Sequence, residues 1–372
     1  MHSRTSLLTA LIQTSRRRPR LSLISRPLLS SNHHSTMAFQ YPLITLEEHW
    51  CSKHVRDFYA TKGVPDPNDE KSAVGFATEA LMEFGDKRFS SLDDNGVAMQ
   101  VVSHVANTIA LDIDTCKKVN DELHGLTKQR PGRFSGFATL PMLDPAAAST
   151  ELRRCVNELG FVGTLVDNNT EGRFYDDSFF WPVFETATEL DVPVYIHPAP
   201  NEEARKLLYA GNYPTAVSES MSQYGFGWHS ETAVHFLRLF AAGVFDRFPK
   251  LKIVLGHMGE MLPFQLDRIE KISGRQWPHL GVKLERQLRQ VWDENVWITT
   301  SGMFALAPMA CLVRQCKPGR IMFSVDYPFT GNEAGVHFLN ALKESDMVDD
   351  EMLEGISYKN AEQLLKLSVK AD

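Results

Sequence analysis

The side chains of this chain that could bind a metal ion or transfer a proton come directly after short apolar runs. Four runs end in this way, and the residues concerned are Glu47, His49, His197, His257 and Asp326. Two histidines and two carboxylates that leave coordination positions open suit a borderline divalent ion such as Zn2+ or Mn2+. The sequence therefore predicts a metal site formed by Glu47, His49, His197 and Asp326.

His257 is the remaining group, and its surroundings indicate proton transfer. It follows the run 251–255, which is too short for a helix and has β-branched Ile253 and Val254 at its centre. Glu260 lies three residues further on, so a helical turn starting here would bring its carboxylate to the imidazole. We predict that His257 and Glu260 form a catalytic pair, with the imidazole handling protons near neutral pH.

The elements that position these groups read as eight strands alternating with helices. The predicted strands cover residues 43–49, 99–105, 133–140, 161–166, 192–197, 251–255, 295–300 and 320–326. This alternation favours an α/β fold with a single (β/α)8 TIM barrel over residues 37–372. In such a barrel the carboxyl ends of all strands surround one mouth, where catalytic groups lie. The predicted metal ligands and the catalytic pair would therefore converge.

Two segments interrupt the barrel pattern. Residues 51–90 are predicted to be an insertion after the first strand, with one helix over 72–85. Residues 198–230 are predicted to form a lid-like loop after the fifth strand, because long loops in compact domains are usually functional. Other helices are predicted at 115–130, 145–160, 179–190, 231–245, 332–345 and 349–367.

Several further aromatic residues and histidines lack a chemical context in the sequence. Phe226, Trp228 and Phe329 are expected to pack, with one of them available to contact an aromatic substrate. The histidines expected to face solvent are His229, His235 and His279.

Composition limits the classes of function. The chain has 372 residues, is 43% hydrophobic and carries a net charge of −7, which disfavours a nucleic-acid partner. No apolar run approaches the ~18 residues of a membrane span. The five cysteines are scattered without paired spacing, which indicates free thiols in a reducing compartment.

The first 36 residues differ from the rest. They contain six arginines and many serines but no acidic residue, and without them the net charge would be −13. This composition is typical of a mitochondrial transit peptide. The alternative is an untranslated extension with Met37 as the start. The predicted location is accordingly the cytoplasm or the mitochondrial matrix, with residues 1–36 outside the fold.

Longer stretches of the chain resemble one family, the amidohydrolase-related decarboxylases of the 2,3-dihydroxybenzoate and γ-resorcylate group. The matching segments are TLEEH (45–49), YIHP (195–198), GVFDRFPKLKIVLGHMGEMLPFQLDRIE (243–270), WITTSG (297–302), FSVDYPF (323–329) and NAEQLLKL (360–367). Related aminocarboxymuconate semialdehyde decarboxylases carry His-x-His on the first strand. Glu47-x-His49 favours the hydroxybenzoate branch, whereas residues 51–90 depart from the usual family pattern.

The resemblance implies a metal-dependent, non-oxidative decarboxylase without an organic cofactor. It implies metal ligation by Glu47, His49, His197 and Asp326, and substrate contact by Arg268. It also implies one divalent ion per chain, Zn2+ or alternatively Mn2+, because the fourth strand lacks the carboxylated lysine that bridges two metals in other members. Partners would be a small aromatic carboxylate and further copies of the chain in a homodimer or homotetramer.

Two functions remain open on the sequence. The first is decarboxylation of an ortho-hydroxybenzoate of the 2,3-dihydroxybenzoate, γ-resorcylate or salicylate type, with Asp326 donating a proton to the ring and His257 and Glu260 managing that proton. The second is hydrolysis of a cyclic amide or lactone, with His257 as the base for a metal-activated water. A non-catalytic scaffold is disfavoured because the reactive side chains converge.

Overall fold

A computed structural model describes residues 39–72 and 74–369. Its framework consists of eight short parallel strands whose residues are largely apolar and β-branched. The strands are β1 (Leu43–Trp50), β2 (Val97–His104), β3 (Phe134–Gly136), β4 (Thr164–Asp167), β5 (Val194–His197), β6 (Ile253–Leu255), β7 (Val296–Thr299) and β8 (Ile321–Met322).

Two ladders together form the barrel. One joins β1, β2 and β3, and the other joins β4 through β8 in sequence order. A parallel bridge between Ala138 and Thr164 connects the ladders on one side. On the other side the His49 N–H donates to the Tyr327 carbonyl at 2.7 Å. The predicted TIM-barrel fold is therefore confirmed.

Side chains point alternately into and out of the barrel along each strand, which gives two apolar layers. Ile44, Val101, Tyr195 and Val254 belong to a cluster of buried residues inside the barrel. Residues between these positions pack outward against the helices, in the larger core cluster. Successive strand residues point to opposite faces, so each strand is buried on both sides.

The helices begin and end close to the predicted positions in most cases. The long helices are Lys53–Lys62, Asp86–Asp94, Ile113–Thr127, Pro145–Asn157, Trp181–Leu190, Thr215–Ser222, Gly227–Ala241, Leu262–Arg275, Leu288–Asn295, Leu306–Gln315 and Asn332–Glu344. Shorter helical segments are Gly75–Ala77, Thr78–Met82, Ser178–Phe180, Glu202–Ala204, Arg205–Tyr209, Val244–Arg247, Trp277–Leu280, Pro318–Arg320, Asp350–Glu354, Gly355–Lys359 and Asn360–Leu365.

Several predicted elements differ from those observed. The strand expected over 133–140 covers only Phe134–Gly136. The helix expected over 72–85 is broken into the short 3-10 segment Gly75–Ala77 and the short helix Thr78–Met82. The C-terminal helix is interrupted by a π-helical turn at Gly355–Lys359. The last strand ends at Met322 rather than at Asp326, because the N–H groups of Ser324 and Val325 donate to the side chains of Thr300 and Glu48 instead of to a neighbouring strand.

The segment after β5 is more helical than the predicted loop. Residues 198–230 contain Glu202–Ala204, the π-helical turn Arg205–Tyr209, the helix Thr215–Ser222 and the start of Gly227–Ala241. Besides Gly75–Ala77 and Thr78–Met82, the insertion after β1 carries the helix Lys53–Lys62 and the start of the helix Asp86–Asp94. That the segment after β5 acts as a lid stays a prediction.

The remaining sequence predictions concern the cysteines, membrane-spanning helices and the leader. The five cysteines are all free thiols. Within residues 39–72 and 74–369, the helices are too short or too polar to cross a lipid bilayer. The predicted leader, residues 1–36, lies outside the described residues.

Candidate metal centre

The structure brings the four predicted metal ligands together at the barrel mouth. One nitrogen or oxygen from each of Glu47, His49, His197 and Asp326 lies within 4.8 Å of the others. His49 Nε2 is 3.2 Å from Asp326 Oδ1, and His197 Nε2 is 3.4 Å from Glu47 Oε1. These groups come from β1, β5 and the segment after β8, so the barrel topology makes them neighbours.

Hydroxyl groups fix the orientation of the Glu47 carboxylate. Its Oε2 atom accepts hydrogen bonds from Tyr195 and Ser301, and from Thr299 at 3.3 Å. Gly256 gives this carboxylate room, because a Cβ there would lie 2.5 Å from Oε2. With Oε2 occupied by donors, Oε1 is the atom presented to the cluster.

The atoms that face the cluster lack hydrogen-bond partners among the described residues. They include Glu47 Oε1, His49 Nε2 and Asp326 Oδ1, each buried. Buried polar atoms without partners are costly unless something else satisfies them. A divalent cation does so, and the set of two imidazole nitrogens and two carboxylate oxygens suits Zn2+ or Mn2+. The residues present therefore fit a bound metal ion.

The electrostatics of the cluster agree with this fit. Burial lowers the pKa of His197 well below its ordinary value, which keeps the ring neutral as a ligand requires. Burial would raise the pKa of Asp326, but the nearby imidazoles of His257 and His49 lower it overall, which favours the ionised carboxylate. Burial also raises the pKa of Glu47, and a cation nearby would favour its ionised form.

His257 and Glu260 form the predicted pair beside the cluster. The His257 Nδ1–H donates to Glu260 Oε1 at 2.8 Å, and the Glu260 side chain is fully buried. The backbone between them is a left-handed turn rather than the predicted helical turn, with φ of 54° at Met258 and 86° at Gly259. A Cβ on Gly259 would contact Pro263 and Ile298, so glycine suits both the conformation and the space.

The other nitrogen of His257 points toward the metal cluster. His257 Nε2 lies 3.6 Å from Asp326 Oδ2, and His257 Nδ1 lies 3.7 Å from Glu47 Oε1. Burial alone would lower the pKa of His257, but Glu47, Glu260 and Asp326 raise it well above its ordinary value. The imidazole can therefore hold a proton and exchange it with the Asp326 carboxylate.

Arg268 is not brought into contact with this cluster within the chain. It lies exposed on the helix Leu262–Arg275. Its neighbours Asp267 and Glu270 form ion pairs with Arg289, at 2.8 and 3.3 Å. The substrate contact expected for Arg268 stays a prediction.

Two histidines expected in solvent are in fact buried or bonded. His235 is fully buried, and its Nε2 accepts a hydrogen bond from the Tyr175 N–H at 3.1 Å. His229 is largely buried and lies 2.8 Å from Glu260. The prediction was wrong for both because helical periodicity within 227–241 does not show which face meets the barrel. His279 is exposed, as predicted.

The hydroxyls around Glu47 were also missed, although the sequence contained a signal for them. Tyr195 lies two residues before His197, and Thr299 and Ser301 are two apart at the end of β7. Since residues two apart on a strand share a face, these hydroxyls belong to the barrel interior.

Aromatic side chains adjoin the cluster, whereas a separate cavity nearby is lined by none of the predicted metal ligands. The rings of Phe329 and His49 are 5.8 Å apart, and Phe76 from the insertion lies 6.4 Å from Phe329. A cavity of about 330 Å3 opens at the ends of β2 to β5, and its polar lining includes Asn107 and Asp167. The mouth thus combines charged groups with an apolar wall.

The chain is similar to known proteins over most of its length. Residues 54–367 match the family described as amidohydrolase. The chain is 43% identical over 333 residues to a protein named decarboxylase orsB from Emericella nidulans, covering 89% of this chain and 99% of that protein.

Bacterial relatives are similar over nearly the same span. A γ-resorcylate decarboxylase from a Polaromonas species is 33% identical, covering 87% of this chain and 98% of the relative. A crystal structure of dihydroxybenzoic acid decarboxylase from Polaromonas, with bound manganese and the inhibitor 2-nitroresorcinol, superposes with a TM-score of 0.76. It is 32% identical and covers 88% of this chain and 97% of that one.

Proposed function

The chain belongs to the amidohydrolase family, in its group of γ-resorcylate-type decarboxylases, and from that premise we propose that it decarboxylates an ortho-hydroxybenzoate. The family resemblance predicted from the sequence is confirmed. The protein is a carbon–carbon lyase that releases CO2 and a phenol in a metal-dependent reaction.

One observation of the site carries this proposal. Unpartnered buried atoms of Glu47, His49 and Asp326 converge beside His257, whose other nitrogen is held by Glu260. The site therefore offers a cation position and a proton donor within one barrel mouth. Decarboxylation of a hydroxybenzoate needs both, because the carboxylate must be oriented and a ring carbon must receive a proton.

We propose that Glu47, His49, His197 and Asp326 hold one divalent ion, with Zn2+ as our expectation and Mn2+ as the alternative. The similar Polaromonas enzyme contains manganese. When bound, such an ion would supply Lewis-acid binding for the substrate carboxylate and the adjacent ortho hydroxyl. The inhibitor of the Polaromonas enzyme, 2-nitroresorcinol, likewise places oxygens on neighbouring ring positions.

The protein side chains carry the proton. Asp326 presents Oδ1 toward His49 and Oδ2 toward His257, so one carboxylate oxygen faces each part of the site. Asp326 first receives a proton from His257 Nε2 and then delivers it to the ring carbon that bears the carboxylate. The carbon–carboxylate bond then breaks, its electron pair restores the aromatic ring, and CO2 leaves. Glu260 holds the imidazole of His257 in place for this proton transfer.

We propose that Phe329 contacts the substrate ring and that Arg268 contacts one of its oxygens. Phe329 lies 5.8 Å from His49 and lines the approach to the cluster. Arg268 is retained as the proposed contact for a substrate oxygen. Because it is exposed on its own chain, the contact would have to form on substrate binding or in an assembly.

We also propose that the chain forms a homo-oligomer, because large apolar side chains are exposed near Arg268 in the sequence. Met261 and Phe264, at the start of the helix that carries Arg268, expose 37% and 81% of their surfaces, and Leu280 exposes 76%. Large exposed apolar side chains such as these are available for protein–protein contacts. Light scattering on the purified protein would measure the assembly size.

The decisive experiment compares two reactions. Purified protein, supplied with Zn2+ or Mn2+, is incubated with a panel of salicylates and with a panel of lactones and cyclic amides. We expect CO2 and the matching phenol from at least one salicylate. Ring opening of a lactone or amide without CO2 release would replace the proposal by hydrolysis.

A further inference from the structure

The Glu260 carboxylate is held between two imidazoles. Its Oε1 atom accepts the His257 Nδ1–H at 2.8 Å, and its Oε2 atom lies 2.8 Å from His229 Nδ1. The two rings meet edge to face, with centroids 4.4 Å apart. His257 belongs to the proposed reaction, whereas nothing in that reaction has so far used His229.

The neighbour of His229 fixes which nitrogen carries its hydrogen. The indole Nε1–H of Trp228, which can only donate, lies 3.1 Å from His229 Nε2. His229 Nε2 must then present a lone pair, so the hydrogen of the neutral ring is on Nδ1. The Tyr224 carbonyl lies further away, at 3.3 Å from the same Nε2, and would require the opposite arrangement.

This tautomer determines the state of the catalytic pair. His229 Nδ1–H donates to Glu260 Oε2, so both carboxylate oxygens accept from imidazole N–H groups. The ring of His257 is consequently held with its hydrogen on Nδ1, and only Nε2, which faces Asp326 Oδ2 at 3.6 Å, exchanges a proton. The chain of contacts runs from Trp228 through His229 and Glu260 to His257.

The Glu260 carboxylate needs such support because its backbone gives little. Glu260 and Met261 both have positive φ values, 53° and 66°, in the turn that precedes the helix Leu262–Arg275. No regular helix therefore orients the Glu260 side chain. A second donor on Oε2 restricts its rotation, and the side chain is fully buried.

We propose that His229 is a positioning residue for the reaction, acting through Glu260 to hold His257 in the orientation and tautomer that present Nε2 to Asp326. Its neighbours Tyr224 and Trp228 belong to the segment after β5, so that segment is coupled to the proton-transferring group. This inference rests on the proposed decarboxylation for its rate effects, but its hydrogen-bond arrangement can be measured independently.

The test uses three variants of the full, metal-loaded protein. His229→Ala removes the donor to Glu260, His229→Asn restores an N–H near the position of Nδ1, and Trp228→Phe removes the indole N–H and keeps a smaller aromatic ring. The matched control is His279→Ala, which removes an exposed histidine. For each protein we would measure metal content, kcat, KM and the pH dependence of kcat/KM.

We expect His229→Ala to lower kcat by about 10- to 100-fold, which corresponds to about 1.4–2.7 kcal/mol. Metal content and KM should stay within about threefold of wild type, because His229 does not touch the metal ligands. His229→Asn should recover most of the loss, and Trp228→Phe should reduce kcat about three- to tenfold. The pH dependence of kcat/KM in His229→Ala should shift to higher pH. The reason is that Glu260 loses a donor that favours its ionised form.

Other outcomes would overturn the inference. A folded His229→Ala protein with wild-type kcat and pH profile would show that the contact has no positioning role. Equal losses in the Ala and Asn variants would point to packing instead. If His229→Ala does not fold, the His229→Asn and Trp228→Phe variants still test whether His229 positions Glu260 and His257.

Nuclear magnetic resonance separates this inference from the proposed function. The imidazole 15N shifts of wild-type protein should show His229 as the Nδ1–H tautomer, with loss of that preference in Trp228→Phe. An Nε2–H tautomer would refute the arrangement. Protein that shows the expected tautomer but releases no CO2 from any salicylate would leave the arrangement intact and refute the proposed reaction.

Discussion

Glu48 fixes the backbone on both sides of Asp326. Its carboxylate accepts the N–H of Val325 at 3.0 Å through Oε1 and the N–H of Tyr327 at 3.0 Å through Oε2. The Ser324 hydroxyl donates to Oε1 at 2.9 Å. Asp326 lies between these donors with a φ of 67°, so Glu48 stabilises a left-handed conformation that directs the Asp326 carboxylate into the metal cluster.

The first prediction concerns this support. Glu48→Gln replaces one accepting oxygen by an amide N–H, which would face a backbone N–H and leave it unsatisfied. We expect a stability loss of about 1–3 kcal/mol, together with lower metal occupancy and turnover because Asp326 is displaced. Denaturant unfolding and metal analysis would measure both. The control Glu203→Gln, at an exposed site, should change neither; wild-type metal content and activity in Glu48→Gln would contradict the role.

The second prediction concerns the metal. Purified protein should contain close to one divalent ion per chain, and His197→Ala should lose most of it because a ligand nitrogen is removed. Elemental analysis of both proteins, with the exposed-site variant His279→Ala as the control, provides the measurement. Active wild-type protein without any divalent metal would rule out the proposed centre.

The third prediction separates proton transfer from metal binding. His257→Asn keeps an N–H that can donate to Glu260 but removes the nitrogen that faces Asp326. We expect unchanged metal content and a loss in kcat of ~100-fold or more. If metal and activity disappear together, His257 would have to be reassigned as a ligand.

The fourth prediction concerns the position of the substrate hydroxyl. Only a hydroxyl ortho to the carboxylate lets both oxygens reach one cation in a near-planar arrangement. A 2-hydroxybenzoate should therefore react at least ~1000-fold faster than its 3-hydroxy or 4-hydroxy isomer, a difference of several kcal/mol in activation free energy. CO2 release measured at matched concentrations compares them. Comparable rates for the ortho and para isomers would exclude this basis of catalysis.

The fifth prediction concerns stability and pH. Burial raises the pKa of Asp167 from 3.8 to about 7, despite a hydrogen bond from the Asn107 N–H. Between these values the folded state holds a proton that the unfolded chain has lost, so the unfolding free energy should fall as pH rises and level off above about pH 7. The contribution amounts to roughly 2–3 kcal/mol between about pH 5 and pH 8.

The test of this pH dependence is a comparison with Asp167→Asn. The variant cannot ionise but can still accept from Asn107, so its unfolding free energy should depend less on pH than that of wild type. Denaturant unfolding at about pH 5 and about pH 8, at the same metal concentration, measures the change in unfolding free energy for each protein. The control Glu158→Gln removes an exposed carboxylate and should retain the wild-type dependence. An Asp167→Asn curve parallel to that of wild type would refute the assignment.

The sequence by itself determined the barrel and the candidate metal-binding residues. Short apolar runs that end in a carboxylate or histidine can be read locally, because strand length and alternation depend on neighbouring residues. A closed parallel barrel then requires that Glu47, His49, His197 and Asp326 meet at one mouth. The family motifs around these residues added the type of reaction.

Only the tertiary structure decided how the supporting groups act on these residues. Glu48 binds backbone 277 and 279 residues away, and His229 reaches Glu260 from a different helix. The left-handed turn at Met258 and Gly259, where a helical turn was expected, is another example. Hydrogen bonds of this kind depend on distance and direction between elements far apart in the chain, and local periodicity contains no information about either.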